Sequence, residues 1–130
     1  MKTPIIFFLV LLSLSSCIVE IEMDPPYVSV DHIDEYETKE VIHEVWSRGI
    51  LIHEEMMYKA WLDMDFSNSG GVRAEDVWAE ILFYDGYRII KTISIDLPDL
   101  RAGSTHQYTL DTGFNSIYDY TDYEINVYWE

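Results

Sequence analysis

Cysteine is almost missing from this chain: one residue, Cys17, in 130. No disulfide can form within it, and thiolate zinc clusters, which need several cysteines, are excluded. Cations are scarce too. Eight Lys and Arg stand against 24 Asp and Glu, a net charge of −16, and that balance argues against a basic footprint for nucleic acid. Glycine is thin at six residues, with neither a glycine-rich phosphate loop nor a Gly-x-Ser-x-Gly nucleophile turn. His32, His43, His53 and His106 never fall at the spacing of a two-histidine zinc helix. No apolar run approaches the ~20 residues a membrane-crossing helix needs. What the chain does have is 48% hydrophobic and 15% aromatic residues, enough to bury a core, so it is expected to fold as about one domain.

The longest apolar run, Ile5 to Leu14, follows a positive start at Lys2 and leads at once into Leu14-Ser15-Ser16-Cys17. This resembles a bacterial lipoprotein signal peptide. The resemblance implies lipidation of the Cys17 thiol and cleavage before it, removing residues 1–16. Several acyl chains anchor stably where one does not, so a membrane is the expected partner through Cys17. Ile18 after the cysteine resembles lipoproteins sent to the outer membrane. Glu20, Glu22 and Asp24 resemble the acidic stretch of some surface lipoproteins, so a periplasmic and a cell-surface orientation both stay open. Residues 17–26 read as an acidic tether ending in Pro25-Pro26, which favours extended backbone, and residues 27–130 as the folded domain.

From there the hydrophobic period is two. Met56, Tyr58, Ala60, Leu62, Met64 and Phe66 alternate with Lys59, Asp63 and Asp65, the pattern of a half-buried strand. Ser67 to Gly71 is a turn cluster. The next strand puts Val77, Ala79, Ile81 and Phe83 on one side and Trp78, Glu80, Leu82 and Tyr84 on the other, with Asp85-Gly86 as a hairpin turn. Tyr87 to Leu97 sets Ile89, Ile93 and Ile95 on one side; His106, Tyr108 and Leu110, then Tyr123, Ile125, Val127 and Trp129, continue the inward pattern. Between Tyr27 and Ile52 two readings compete. Asp34-x-x-Glu37 fits a capping box opening a helix, while β-branched Val41-Ile42 and Val45-Trp46 before Arg48-Gly49 fit a hairpin. The hairpin is preferred and brings the expected count to about seven strands, an all-β antiparallel sandwich.

Leu62 to Gly71, Ala74 to Gly86 and Leu100-Arg101-Ala102-Gly103-Ser104 together look like the strand and turn pattern of bacterial immunoglobulin-like modules, nearest to the CARDB and FxLYD groups. The resemblance implies an immunoglobulin-like sandwich and, through the CARDB association with adhesion, a binding role. Such modules often continue into a final strand beyond the position of Glu130. The expectation is that Val28 to Trp46 fills that edge from the N-terminal side, with pairing of the edge by a partner strand as the lesser alternative.

Candidate chemistry is sparse. Asp63-x-Asp65-x-Ser67-x-Ser69 alternates oxygen donors like half an EF-hand loop, but Asn68 stands at its sixth position and Ala74 at its twelfth. No cofactor is expected and the domain reads as non-catalytic. Aromatics are the lead: Trp61, Trp78, Tyr84 and Tyr128, with Tyr118 and Tyr120, fall on predicted wet faces or loops, where Trp and Tyr favour interfaces. Trp61 and Trp78 are expected on neighbouring strands, side by side. Tyr123 resembles a structural tyrosine corner. The expected function is a protein-binding accessory module of the envelope, with a calcium-assisted adhesin or glycan-binding module as the alternative.

Overall fold

The computed structural model describes residues 23–130; the leader and Cys17 lie outside the described residues. Six strands follow one another: β1 (Val28–Ser47), β2 (Ile50–Asn68), β3 (Trp78–Asp85), β4 (Arg88–Asp96), β5 (Thr105–Asp111) and β6 (Asp122–Tyr128). They form two antiparallel three-stranded sheets, ordered β1-β2-β5 and β4-β3-β6. Two antiparallel sheets packed through their apolar faces make a β-sandwich.

Alternation builds the core. Leu62, Met64 and Phe66 of β2 face Ala79, Ile81 and Phe83 of β3, all fully buried, with Leu97, Leu100 and Leu110 closing the ends. Phe83 gathers Phe114, Tyr120 and Tyr123 around its ring at centroid distances of 5.2, 4.9 and 6.3 Å. Those separations suit edge-on aromatic packing. Tyr123 is thus structural through its ring, whereas the hydroxyl bond in this corner belongs to Tyr120, which donates to Glu35.

Four sequence expectations need correction. The segment after Tyr27 is a hairpin, but its second leg and the strand at Met56 are one strand, β2, so six strands replace seven. The turn is Arg48-Gly49, both at positive φ (53° and 78°), the geometry that matches a two-residue loop to strand twist. Next, β1 does not fill the edge beside β6. It pairs with β2 from Val28↔Asn68 to Ser47↔Ile50, because two strands joined by a two-residue turn find each other before any distant edge. Third, Ile89 is outward and 50% exposed: the register shifts between Phe83↔Lys91 and Tyr84↔Ile89, and the extra residue, Ile90, turns inward instead. Finally, Asp85 and Arg88 are the closing pair of the β3–β4 hairpin, with Gly86-Tyr87 as its loop.

The strands are unequal in length. At ~3.3 Å per residue β1 spans roughly 65 Å and β6 roughly 23 Å, so the second sheet covers only the first half of the β1–β2 hairpin. The core ends at Glu37↔Ala60. There the Ala60 carbonyl accepts from the Thr112 hydroxyl at 2.8 Å, the Ala60 amide donates to Phe114, and Glu37 Oε2 accepts from Ser116 Oγ and the Ile117 amide, both at 2.8 Å. Residues 38–59 project beyond this clamp as a two-stranded arm.

Candidate interaction surfaces

Register decides where each aromatic side chain lies. Trp78, Tyr84 and Tyr128 share the outer face of the β4-β3-β6 sheet, where Trp78 is the partner of Tyr128. Their rings stack at 4.3 Å with 21° between planes, and they are 37% and 41% exposed. Tyr84 donates its hydroxyl to Glu124 across the same sheet at 2.8 Å, and that bond raises its titration above the ordinary phenol range. Trp61 lies elsewhere. It is in β2, on the outer face of the other sheet, where its indole N–H donates to Thr38 at 2.8 Å and Lys59 sits 5.7 Å from the ring centroid. Trp61 and Trp78 are therefore not neighbours. Both alternate outward correctly, but they stand on opposite sides of a two-layer fold. Tyr118 is 86% exposed in the loop before β6, whereas Tyr120 is buried at 5%, so Tyr120 belongs to the core rather than to a wet face.

The carboxylates do not converge. Asp63, Asp65 and Ser67 lie along one outward face of β2; Asp63 accepts from Tyr36 at 3.4 Å and from Thr109 at 2.7 Å, and Ser67 bonds Thr105 at 2.8 Å. Among the described residues no group of three His, Cys, Asp or Glu side chains is placed to hold a metal ion. No described helix is long and apolar enough to cross a membrane.

Two further surfaces remain, the first following from the open edge that the sequence left as an alternative and the second not read from it. One is a groove between β1 and β6, about 570 Å³, with Val28, Val30 and Ile33 on one wall and Ile125, Val127 and Trp129 on the other. It exists because β1 lies beside β2, which leaves the outer edge of β6 without a strand among the described residues. The second is the arm. From Val41 to Ile52 its apolar side chains face solvent, with Ile42 52%, Trp46 57%, Ile50 66% and Ile52 61% exposed. The signal was available in its β-branched residues, but alternation alone cannot say that the facing sheet stops short.

A polar hub ties the tether side of the domain to these surfaces. Asn68, 1% exposed, accepts from the Tyr27 and Gly70 amides at 3.1 and 3.0 Å and donates to the Val72 and Leu100 carbonyls at 2.8 and 2.9 Å. Every donor and acceptor of the side chain is used toward backbone, so β1 starts at one fixed place. Gly70 is needed there because a Cβ would collide with the Pro25 carbonyl oxygen. Trp129 completes the corner, its indole N–H donating to the Pro26 carbonyl at 3.2 Å. Comparison with protein-family models, with curated proteins and with solved structures finds no match for this chain.

Proposed function

We propose that this chain is a lipid-anchored, non-catalytic module that works by binding another protein of the cell envelope at the outer membrane. The observation that carries the reading is the exposed stack of Trp78 on Tyr128. Large rigid rings held in place by a sheet bring contact area at low entropic cost, and the surrounding acid disfavours unselected anionic partners. The lipoprotein-like leader supports the anchor, and Pro25-Pro26 supports a short stand-off from the bilayer. The turn pattern resembling CARDB and FxLYD modules agrees with a sandwich that binds rather than catalyses, although fold does not fix function.

The test is photo-cross-linking in native envelopes of the lipidated protein bearing a photoreactive residue at Tyr128. One predominant protein partner is expected, lost with Trp78→Ala and with Cys17→Ala. Stability should change little with Trp78→Ala, since an exposed aromatic pair contributes about 0.5–1.5 kcal/mol. Adducts that persist unchanged in Trp78→Ala would refute this face as the binding site. Adducts indifferent to Cys17→Ala would refute assembly at the membrane.

A further inference from the structure

The groove and the arm are complementary in four respects. Each offers unpaired strand edge: β6 has none of its outer edge bonded among the described residues, and neither does the outer edge of β1. Each is apolar where the two would meet, in a chain where Asp and Glu number 24 of 130, and the arm's glutamates, Glu40, Glu44, Glu54 and Glu55, stand behind its tip. The residues lining the groove include no Asp, Glu, Lys or Arg, and the arm tip from Val45 to His53 carries only Arg48. Their lengths agree, since the ten arm residues of β1, roughly 33 Å at the strand rise, suffice to run along the roughly 23 Å of β6. Finally, carboxylates stand at both ends of the groove for Arg48 to meet: Glu35 and Asp122 border Tyr123 at one end, and Glu130 follows Trp129 at the other.

We propose that the groove of one copy receives the β1–β2 arm of a second copy, which adds a strand to the open edge of β6 and packs its apolar tip against Val30, Ile33, Ile125 and Val127. Strand addition supplies main-chain hydrogen bonds, and alternate side chains filling the groove supply selectivity. The occupant is a second copy because the pieces that fit are both in this chain: an uncharged groove with Glu35 and Asp122 at one end and Glu130 at the other, and an apolar tip whose one charge is Arg48, which lets two copies of net charge −16 approach there and repel elsewhere. The arm belongs to the folded domain, so this self-association does not depend on the lipid anchor or on the Trp78 face.

The test uses the full chain in detergent with Cys17→Ser, which removes its one thiol, carrying either Val45→Cys in the arm or Asn126→Cys in β6. On mixing the two under mild oxidation, a mixed Val45→Cys to Asn126→Cys disulfide is expected. It should exceed clearly the product of Val45→Cys with Thr92→Cys, a control on β4 at the far edge of the same sheet. The band should disappear when the arm also carries Trp46→Asp and Leu51→Asp, while circular dichroism of that exposed-arm variant stays that of the parent. A dominant Val45→Cys homodimer in the mixture would overturn the proposal in favour of arms pairing with each other. No mixed disulfide above the Thr92→Cys control, with a monomer by sedimentation, would overturn it outright.

Discussion

Removing the side chain of Asn68 is the sharpest test of how β1 is seated. Asn68→Ala leaves two carbonyls, Val72 and Leu100, and two amides, Tyr27 and Gly70, without their partner. The Leu100 bond is buried and the other three are partly buried, so water can return to them in part. A buried group left unpaired costs about 1–3 kcal/mol and a partly solvated one about 0.5–1 kcal/mol, which together give about 2.5–6 kcal/mol. At ~4–6 °C per kcal/mol for a domain of this size the melting temperature falls by roughly 10–36 °C. Asn68→Asp should behave differently from Asn68→Ala with pH. One carboxylate oxygen keeps the two amides, but the other faces two carbonyl oxygens with no proton to offer. Burial and those carbonyls raise its folded pKa above the unfolded value, so its stabilising form exists at low pH and is lost as pH rises. Urea unfolding followed by tryptophan fluorescence at pH 4.5 and pH 7 reads both effects, with Asn68→Asp closer to the parent at pH 4.5. The reasoning fails if Asn68→Ala lies within 0.5 kcal/mol of the parent, a change of the size expected at an ordinary surface site. It also fails if Asn68→Asp matches the parent at pH 7.

Phe83→Ala should destabilise by about 3–5 kcal/mol, because it empties the centre of the aromatic cluster with Phe114, Tyr120 and Tyr123; denaturant unfolding measures it, and a loss under 1 kcal/mol would show that the cluster is not the core. Tyr120 titrates above the ordinary phenol range, chiefly through burial and then through its hydrogen bond to Glu35. Its contribution is therefore present below the unfolded tyrosine pKa of about 10 and is lost as pH rises beyond that. Tyr120→Phe should cost about 1 kcal/mol at pH 7 and flatten the fall in stability between pH 9 and pH 11; an unchanged alkaline slope would contradict this assignment. Glu37 is held below the usual carboxylate range by the Ile117 amide first and the Ser116 hydroxyl second. The clamp is complete above the unfolded glutamate pKa and released as pH falls through the lower folded value, so the protection of the Ile117 amide relative to its intrinsic exchange rate should fall in acid and be low at every pH in Glu37→Ala.

The outcome shows which kinds of information reside in local pattern. Period two identified the inward faces from Ala60 to Phe66 and from Val77 to Phe83, since alternation is a property of one strand and needs no knowledge of its neighbours; Met56 and Tyr58, in the same phase, lie on the arm beyond the facing sheet, with Tyr58 45% exposed. Arg48-Gly49 was legible for the same reason. What escaped depends on which strand lies beside which. Trp61 and Trp78 are both outward, yet whether two outward residues share a face is decided by sheet assignment. Ile89 faced the wrong way because one bulged residue reverses the alternation after it. Asn68 read as part of a turn because asparagine is common there; that it is buried follows only from Tyr27, Val72 and Leu100 arriving from separate parts of the chain.

The arm is hard to explain as a device for the stability of one copy. Its two strands bury almost nothing, and an isolated two-stranded hairpin is marginal in water. Glu44 lies opposite Glu54 in its register, and like charges across a pair destabilise it. A sequence selected only to close this hairpin would place polar side chains where Ile42, Trp46, Ile50 and Ile52 are, and opposite charges where the two glutamates are. The bulges at Ile42 in β1 and at Ile52 in β2 twist the arm's edges and limit indiscriminate pairing. An arm that is apolar at its tip and guarded along its length fits the proposed docking into the uncharged groove beside β6.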